Sequence, residues 1–98
     1  MAAAESAIEY GVLETLRTTA ESTAKIDLSR TKILTIPVEL LRFKTLEYLY
    51  LEANRLDSIP MHFFLELPAL TYLDLRHNQL TGLPKSVGWV TPTFVLSE

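Results

Sequence analysis

The chain has 98 residues, of which 48% are apolar and 21% charged, as is usual for one small folded domain. It contains no cysteine, which excludes a disulfide framework, thiolate metal sites and a cysteine nucleophile. The net charge of -3 is concentrated in residues 1–22, and the rest of the chain carries equal numbers of acids and bases. Because it offers no basic surface to phosphate, we expect no nucleic-acid partner.

The first predicted element is an amphipathic helix over residues 4–20. Its apolar side chains fall on one side of the helix: Ile8, Val12, Leu13 and Leu16. Residues 1–5 lack the basic and apolar stretches of a secretory signal, and no apolar run approaches the roughly 18 residues of a membrane span. These observations predict a cytoplasmic protein with no membrane partner, the nucleus being the alternative compartment.

A repeat follows the helix. Residues 46–60, LEYLYLEANRLDSIP, recur as residues 70–84, LTYLDLRHNQLTGLP. Residues 23–37 form a weaker copy, with Thr23 and Thr31 where the stronger copies have leucine and asparagine. A recurrence at this period indicates a repeat architecture whose units start near residues 23, 46 and 70.

The pattern L-x-x-L-x-L-x-x-N-x-L-x-x-[I/L]-P closely resembles that of the leucine-rich-repeat family over residues 23–94. The short period and the final proline resemble the intracellular class that includes Ras-regulating scaffolds. The resemblance implies an α/β fold: a short right-handed solenoid with a parallel sheet of three strands, one per unit, and irregular or helical returns. Residues 23–90 would form the repeats.

Side-chain alternation along each strand supports this interpretation, because the two leucines of L-x-L point to one side and the intervening residue to the other. The residues predicted to face the core are Ile26, Leu28, Leu49, Leu51, Leu73 and Leu75. Asn54 and Asn78 are expected to bond backbone groups where each strand turns, and Thr31 predicts a looser first turn. A helical domain is the competing interpretation, since apolar residues also recur every third position over residues 40–49.

The first and last units of a repeat array each expose part of the core unless another segment covers them. Residues 1–22 are predicted to form an acidic capping helix; the alternatives are a frayed tail or an amphipathic membrane or partner helix. Residues 91–98 are interpreted as the start of an incomplete fourth unit, in which Phe94 matches Leu70 and no core residue stands at position 97. Either Trp89, with residues 94–96, folds over the third unit, or an apolar patch there invites self-association.

The residues between the leucines line the exposed face of the sheet, which is concave in this family and is called here the open face. Its predicted partner-binding residues are Lys25, Asp27, Arg30, Tyr48, Tyr50, Glu52, Tyr72, Asp74, Arg76 and His77. Tyrosines are favoured interface anchors, and Arg30 and Arg76 could grip a partner's carboxylate. The alternative is that these side chains only stabilise cross-strand packing.

We expect neither catalysis nor a cofactor. Ser29, Asp74 and His77 fall on an open strand face without a pocket or oxyanion donors. His62 and His77 differ in repeat phase and have no third ligand nearby, so no metal site is predicted. The sequence thus predicts a protein-interaction module of scaffold or adaptor type. The alternative is a truncated repeat fragment or short isoform that self-associates through its C-terminal end.

Overall fold

The computed structural model describes residues 2–84 and 94–97, and side chains over residues 10–84. The elements in chain order are α1 (Ala2–Thr18), β1 (Lys25–Asp27), a 3-10 helix (Val38–Arg42), β2 (Tyr48–Tyr50), α2 (Phe63–Glu66), β3 (Tyr72–Leu75) and β4 (Phe94–Ser97). Three of the four strands lie where the repeat pattern places its L-x-L segments.

The four strands form one parallel sheet in the order β1-β2-β3-β4. Ile26 lies opposite Leu49, and Leu49 lies opposite Leu73, so equivalent residues of successive units share one row across the sheet. The helical alternative is wrong, because β2 occupies the segment in which a helix would have had to run.

The sheet contains a fourth strand, whereas the repeat pattern predicted three. Val95 pairs with Leu73, so the step from β3 to β4 is 22 residues rather than 24. The prediction matched Phe94 to Leu70 and therefore sought the next core position at residue 97. In the structure Val95 continues the Ile26, Leu49 and Leu73 row, because the third unit is two residues shorter.

The core lies on one side of the sheet. The six residues predicted to face it are all buried: Ile26, Leu28, Leu49, Leu51, Leu73 and Leu75. The segments that lead from one strand to the next, called here the returns, cover the other side of this core. Their side chains Leu40, Phe43 and Phe63 are also buried. Each fully buried side chain of this kind contributes about 1.5–3 kcal/mol of apolar transfer free energy.

Hydrogen bonds from Asn54 complete the turn of the first unit, whose sequence matches the repeat pattern only weakly. Asn54 Oδ1 accepts hydrogen bonds from the backbone N–H groups of Thr31 (3.0 Å) and Ile33 (3.2 Å). Its Nδ2 donates to the carbonyl oxygens of Leu28 and Leu51, both at 3.0 Å. The carboxamide of the second unit thus bonds backbone groups of the first turn, in which Thr31 stands in place of asparagine. The looser first turn stays a prediction.

The helix α1 begins and ends two residues before its predicted bounds. Val12 and Leu16 are buried in the common core, and Arg42 Nη2 donates to the Leu16 carbonyl oxygen at 2.9 Å. In the part of the chain that the structure describes, no helix combines the length and apolarity needed to cross a membrane. The side chains of Ile8, Trp89 and residues 94–96 lie outside the described set, so their predicted packing stays a prediction.

Candidate functional site

The open face is built by residues that alternate with the core leucines. In β2, Leu49 is 0% exposed while its neighbour Tyr48 is 42% exposed. In β1, Lys25 and Asp27 are exposed on either side of buried Ile26. This alternation follows from the pleat, which sends successive side chains to opposite faces of the sheet.

Three tyrosines form a cluster on the open face, as the sequence predicted. Tyr48 and Tyr72 are register partners, and their ring centroids lie 6.2 Å apart. The Tyr50 and Tyr72 rings are 5.4 Å apart, and both pairs are tilted, a geometry that is favourable for aromatic rings. Lys25 Nζ lies 5.4 Å from the Tyr50 ring centroid, within cation-π distance. We call Tyr48, Tyr50 and Tyr72 the tyrosine cluster.

Asp74 departs from the expectation of a displayed carboxylate, because it is only 2% exposed. Arg76 grips it with two side-chain hydrogen bonds, Nε to Oδ1 at 2.9 Å and Nη2 to Oδ2 at 2.8 Å. The Arg76 backbone N–H also donates to Oδ1 at 3.2 Å. Burial raises the pKa of Asp74, but the hydrogen bonds and charge of Arg76 outweigh it, so the pKa lies below its ordinary value.

Arg76 is therefore already paired within the chain. Hydrogen bonds from its side chain to Asp74 raise the pKa of the guanidinium, and Glu52 Oε1 lies 4.0 Å from Nη2. A partner's carboxylate would have to compete with both acids, which disfavours the predicted role of Arg76 as a carboxylate clamp. The signal for this pairing is the two-residue spacing, which puts Asp74 and Arg76 on the same side of the strand.

The remaining predicted residues lie around the tyrosine cluster. Arg30 and His77 are exposed in the turns after β1 and β3, with φ angles of 59° and 60°. Asp27 Oδ1 accepts a hydrogen bond from the Ser29 backbone N–H at 2.9 Å. Glu52 follows β2 and is half-buried. Among the predicted residues, Asp74 alone is withdrawn from the surface.

The geometry gives no support to the catalytic or metal alternatives. Ser29 follows β1 and His77 follows β3, so β2 separates them by about two strand spacings of 4.8 Å each. Asp74, the third member considered, is bound by Arg76. Over the side chains of residues 10–84, no three His, Asp or Glu residues gather as a set that could hold a metal ion.

The family profile described as Leucine rich repeat matches residues 21–80, which include β1, β2 and β3. The chain belongs to the leucine-rich-repeat family. Its membership indicates a role in protein–protein interaction in general terms, since proteins of this family are typically interaction modules without enzymatic activity.

Named relatives share the repeats. The chain is 40% identical over 73 residues to leucine-rich repeat and calponin homology domain-containing protein 1 of Mus musculus, covering 69% of this chain and 10% of that protein. It is 32% identical over 99 residues to Toll-like receptor 9 of Sus scrofa, covering 92% and 10%. Identity to leucine-rich repeat-containing protein 7 of Rattus norvegicus is 36% over 63 residues, covering 63% and 4%. The chain thus spans at most a tenth of the length of these relatives.

Proposed function

We propose that this leucine-rich-repeat chain is an interaction module of scaffold or adaptor type that binds a protein partner on its open face. The observation that carries the proposal is the tyrosine cluster, three neighbouring rings on the side of the sheet away from the core. Tyrosine brings a large contact area and a polar hydroxyl at low entropic cost, which makes it a frequent anchor of protein interfaces.

Charged groups surround the cluster and supply the rim of the proposed interface. Lys25, Asp27 and Arg30 lie on the β1 side, and Glu52 and His77 lie beyond the strand ends. Exposed charges of this kind mainly orient a partner and accelerate its approach, whereas desolvated aromatic rings supply the binding free energy. Asp74 acts indirectly in this proposal, by holding the side chain of Arg76 against the sheet.

The rest of the chain supports this face. We propose that the repeats stack as a short right-handed solenoid and that α1 caps its first unit, because Val12 and Leu16 cover core side chains that would otherwise meet water. The acidic residues of the first segment disfavour a membrane-surface helix, which would usually carry Lys and Arg. We also propose that this module is located in the cytoplasm or the nucleus.

The test is quantitative capture of a partner from cell extract by the wild-type chain and by two double variants. Tyr48→Ala with Tyr72→Ala truncates the cluster. Val38→Ala with Met61→Ala is the matched control, since both side chains are exposed in the returns rather than on the open face. We expect the tyrosine variant to lose at least about 30-fold in affinity, as two truncated anchors of about 1 kcal/mol or more each would give.

Circular dichroism must show both variants folded. Undiminished capture by the folded tyrosine variant would contradict the proposal. An equal loss in the control variant would also contradict it, because the effect would then not be specific to the open face.

A further inference from the structure

The turns after β1, β2 and β3 stack on one another, so equivalent positions of successive units form rows. The backbone N–H of Arg55 donates to the Ile33 carbonyl oxygen at 2.9 Å. One unit later, the Gln79 N–H donates to the Leu56 carbonyl oxygen at 2.8 Å. Two such rows, called here the turn rows, contain Arg30, Ala53 and His77 in the first and Lys32, Arg55 and Gln79 in the second.

The turn rows contain three cations and no acid. Arg30, Lys32 and Arg55 are all exposed, and we call them the basic stripe. Over the side chains of residues 10–84, none of the three forms an ion pair or a side-chain hydrogen bond. Four bases elsewhere in this range do form ion pairs: Arg17, Arg42, Lys44 and Arg76. The basic stripe therefore presents donors that the described part of the chain does not use.

A buried asparagine fixes the two cations of the second row relative to each other. Asn54 Oδ1 accepts hydrogen bonds from the backbone N–H groups of Thr31 and Ile33, the residues on either side of Lys32. Arg55 follows Asn54 directly in the chain. The backbones at Lys32 and Arg55 are thus held near the strand spacing of about 4.8 Å. Their like charges repel each other, and no acid of the turn rows offsets this repulsion.

The acids closest to the basic stripe are engaged elsewhere or lie outside the turn rows. Glu52 and Asp74 lie against Arg76, and Asp27 accepts a backbone hydrogen bond. Asp57 is exposed beyond the second row. The basic stripe is consequently a local excess of positive charge on a chain whose net charge is -3.

We propose that the basic stripe binds an extended acidic segment of the protein partner, beside the tyrosine cluster. This inference rests on the proposed function, because it names the chemistry of the partner that the open face would receive. Alternate side chains of an extended segment point the same way and lie about 6.7 Å apart, so carboxylates at every second position can reach neighbouring cations. The two arginines can bind a carboxylate with two parallel hydrogen bonds, and Lys32 supplies a point charge.

The charge of the whole chain favours a protein segment over nucleic acid. Proteins that follow a nucleic-acid backbone commonly make about 6–10 phosphate contacts. The basic stripe offers three cations, and the net charge of -3 repels a long polyanion. A short segment with a few carboxylates matches the stripe without meeting that repulsion.

An NMR titration of the 98-residue chain tests the proposal with a defined probe, an eight-residue peptide of alternating glutamate and serine. We expect the backbone amides of residues 30–33 and 54–56 to shift as the peptide is added. Binding should weaken several-fold when sodium chloride is raised from about 50 to about 500 mM, because salt screens exposed charges. A matched peptide of alternating lysine and serine should leave these amides unchanged.

Two double variants determine whether the basic stripe carries the binding. Lys32→Gln with Arg55→Gln removes two of its charges, and Arg17→Gln with Lys44→Gln removes the same two residue types elsewhere. We expect the stripe variant to bind the acidic peptide about 5-fold more weakly and the control variant to stay within about 2-fold of the wild type. The urea midpoint of the stripe variant should not fall, because the substitutions relieve repulsion.

Several results would overturn the proposal. These are an absence of shifts at an excess of the acidic peptide, equal binding of the lysine peptide, and an equal loss of binding in the two variants. A lowered urea midpoint of the stripe variant would also overturn it, by giving these cations a structural role. So would an oligothymidine of the same length that binds more tightly than the acidic peptide, by assigning the basic stripe to nucleic acid.

Failure of this proposal can be distinguished from failure of the proposed function. Tyr48→Ala with Tyr72→Ala should bind the acidic peptide as the wild type does, because the basic stripe is intact in it. If the peptide does not bind but partner capture requires the tyrosines, the stripe proposal fails and the proposed function stands. If the peptide binds but capture survives the tyrosine substitutions, the open face is not the partner site and the acidic-segment site stands.

Discussion

The two sides of β2 show how one strand serves two purposes. Leu49 is fully buried against the returns, while Tyr48, its neighbour in the chain, is 42% exposed and contacts the ring of Tyr72. Both are large apolar or aromatic residues in the same three-residue strand, so the face to which each points, rather than its hydrophobicity, decides its role. Substitutions on the two sides should therefore separate stability from binding.

The largest effect should come from the core side. Leu49→Ala removes a side chain that is completely buried, which typically costs about 2–5 kcal/mol of unfolding free energy. Tyr48→Ala should cost less than about 1 kcal/mol, since the ring stays partly in water. Urea unfolding followed by circular dichroism measures both values. Equal losses in the two variants would refute the assignment of opposite faces.

A smaller difference should separate the two asparagine turns. Asn54 is 4% exposed and its Oδ1 serves backbone N–H groups of Thr31 and Ile33, whereas Asn78 Oδ1 accepts from the Leu56 N–H at 2.9 Å. Asn54→Ala should therefore cost about 2–3 kcal/mol and Asn78→Ala about 1–2 kcal/mol. Urea midpoints decide the order, and a larger loss at Asn78 would contradict it.

The Asp74–Arg76 ion pair of the open face predicts that the stability of the protein depends on pH. The folded-state pKa of Asp74 is lowered, so the ionised carboxylate stabilises the folded protein. This contribution to the free energy of unfolding is complete above the unfolded-state pKa, and it is lost as the pH falls through the folded-state pKa. Because the Arg76 side chain is partly exposed, solvent screens the pair and its effect on the free energy of unfolding should be modest. Stability should consequently fall less between pH 6 and about 3 in Asp74→Asn than in the wild type. Parallel pH profiles would argue against the pair.

The smallest effect should come from the turn after β2. Ala53 has a φ of 58°, in the left-handed region that costs a non-glycine residue about 1 kcal/mol or more. Ala53→Gly relieves this strain and loses part of the gain to the greater entropy of glycine in the unfolded chain. Thermal unfolding should show a net stabilisation of about 0.5 kcal/mol. A destabilised Ala53→Gly variant would contradict the strain argument.

These comparisons also show what sequence could predict. The two-residue alternation fixes which side Leu49 and Tyr48 face, because the pleat leaves no other choice. The repeat spacing could not reveal β4, because the step of 22 residues departs from the 24-residue step before it. The burial of Asp74 depends on how the Arg76 side chain folds back, and the consensus pattern says nothing about that. The partner-binding roles of the open-face residues stay predictions.

The alternation in β2 can be measured directly, because the chain contains no cysteine and a single introduced thiol reports on one position. Tyr48→Cys and Leu49→Cys would each react with an excess of thiol reagent under native conditions and in urea. We predict that the thiol at position 48 reacts within the native protein nearly as fast as in urea. At position 49 it should react orders of magnitude more slowly until the protein unfolds. Equal native rates in two folded variants would contradict the account.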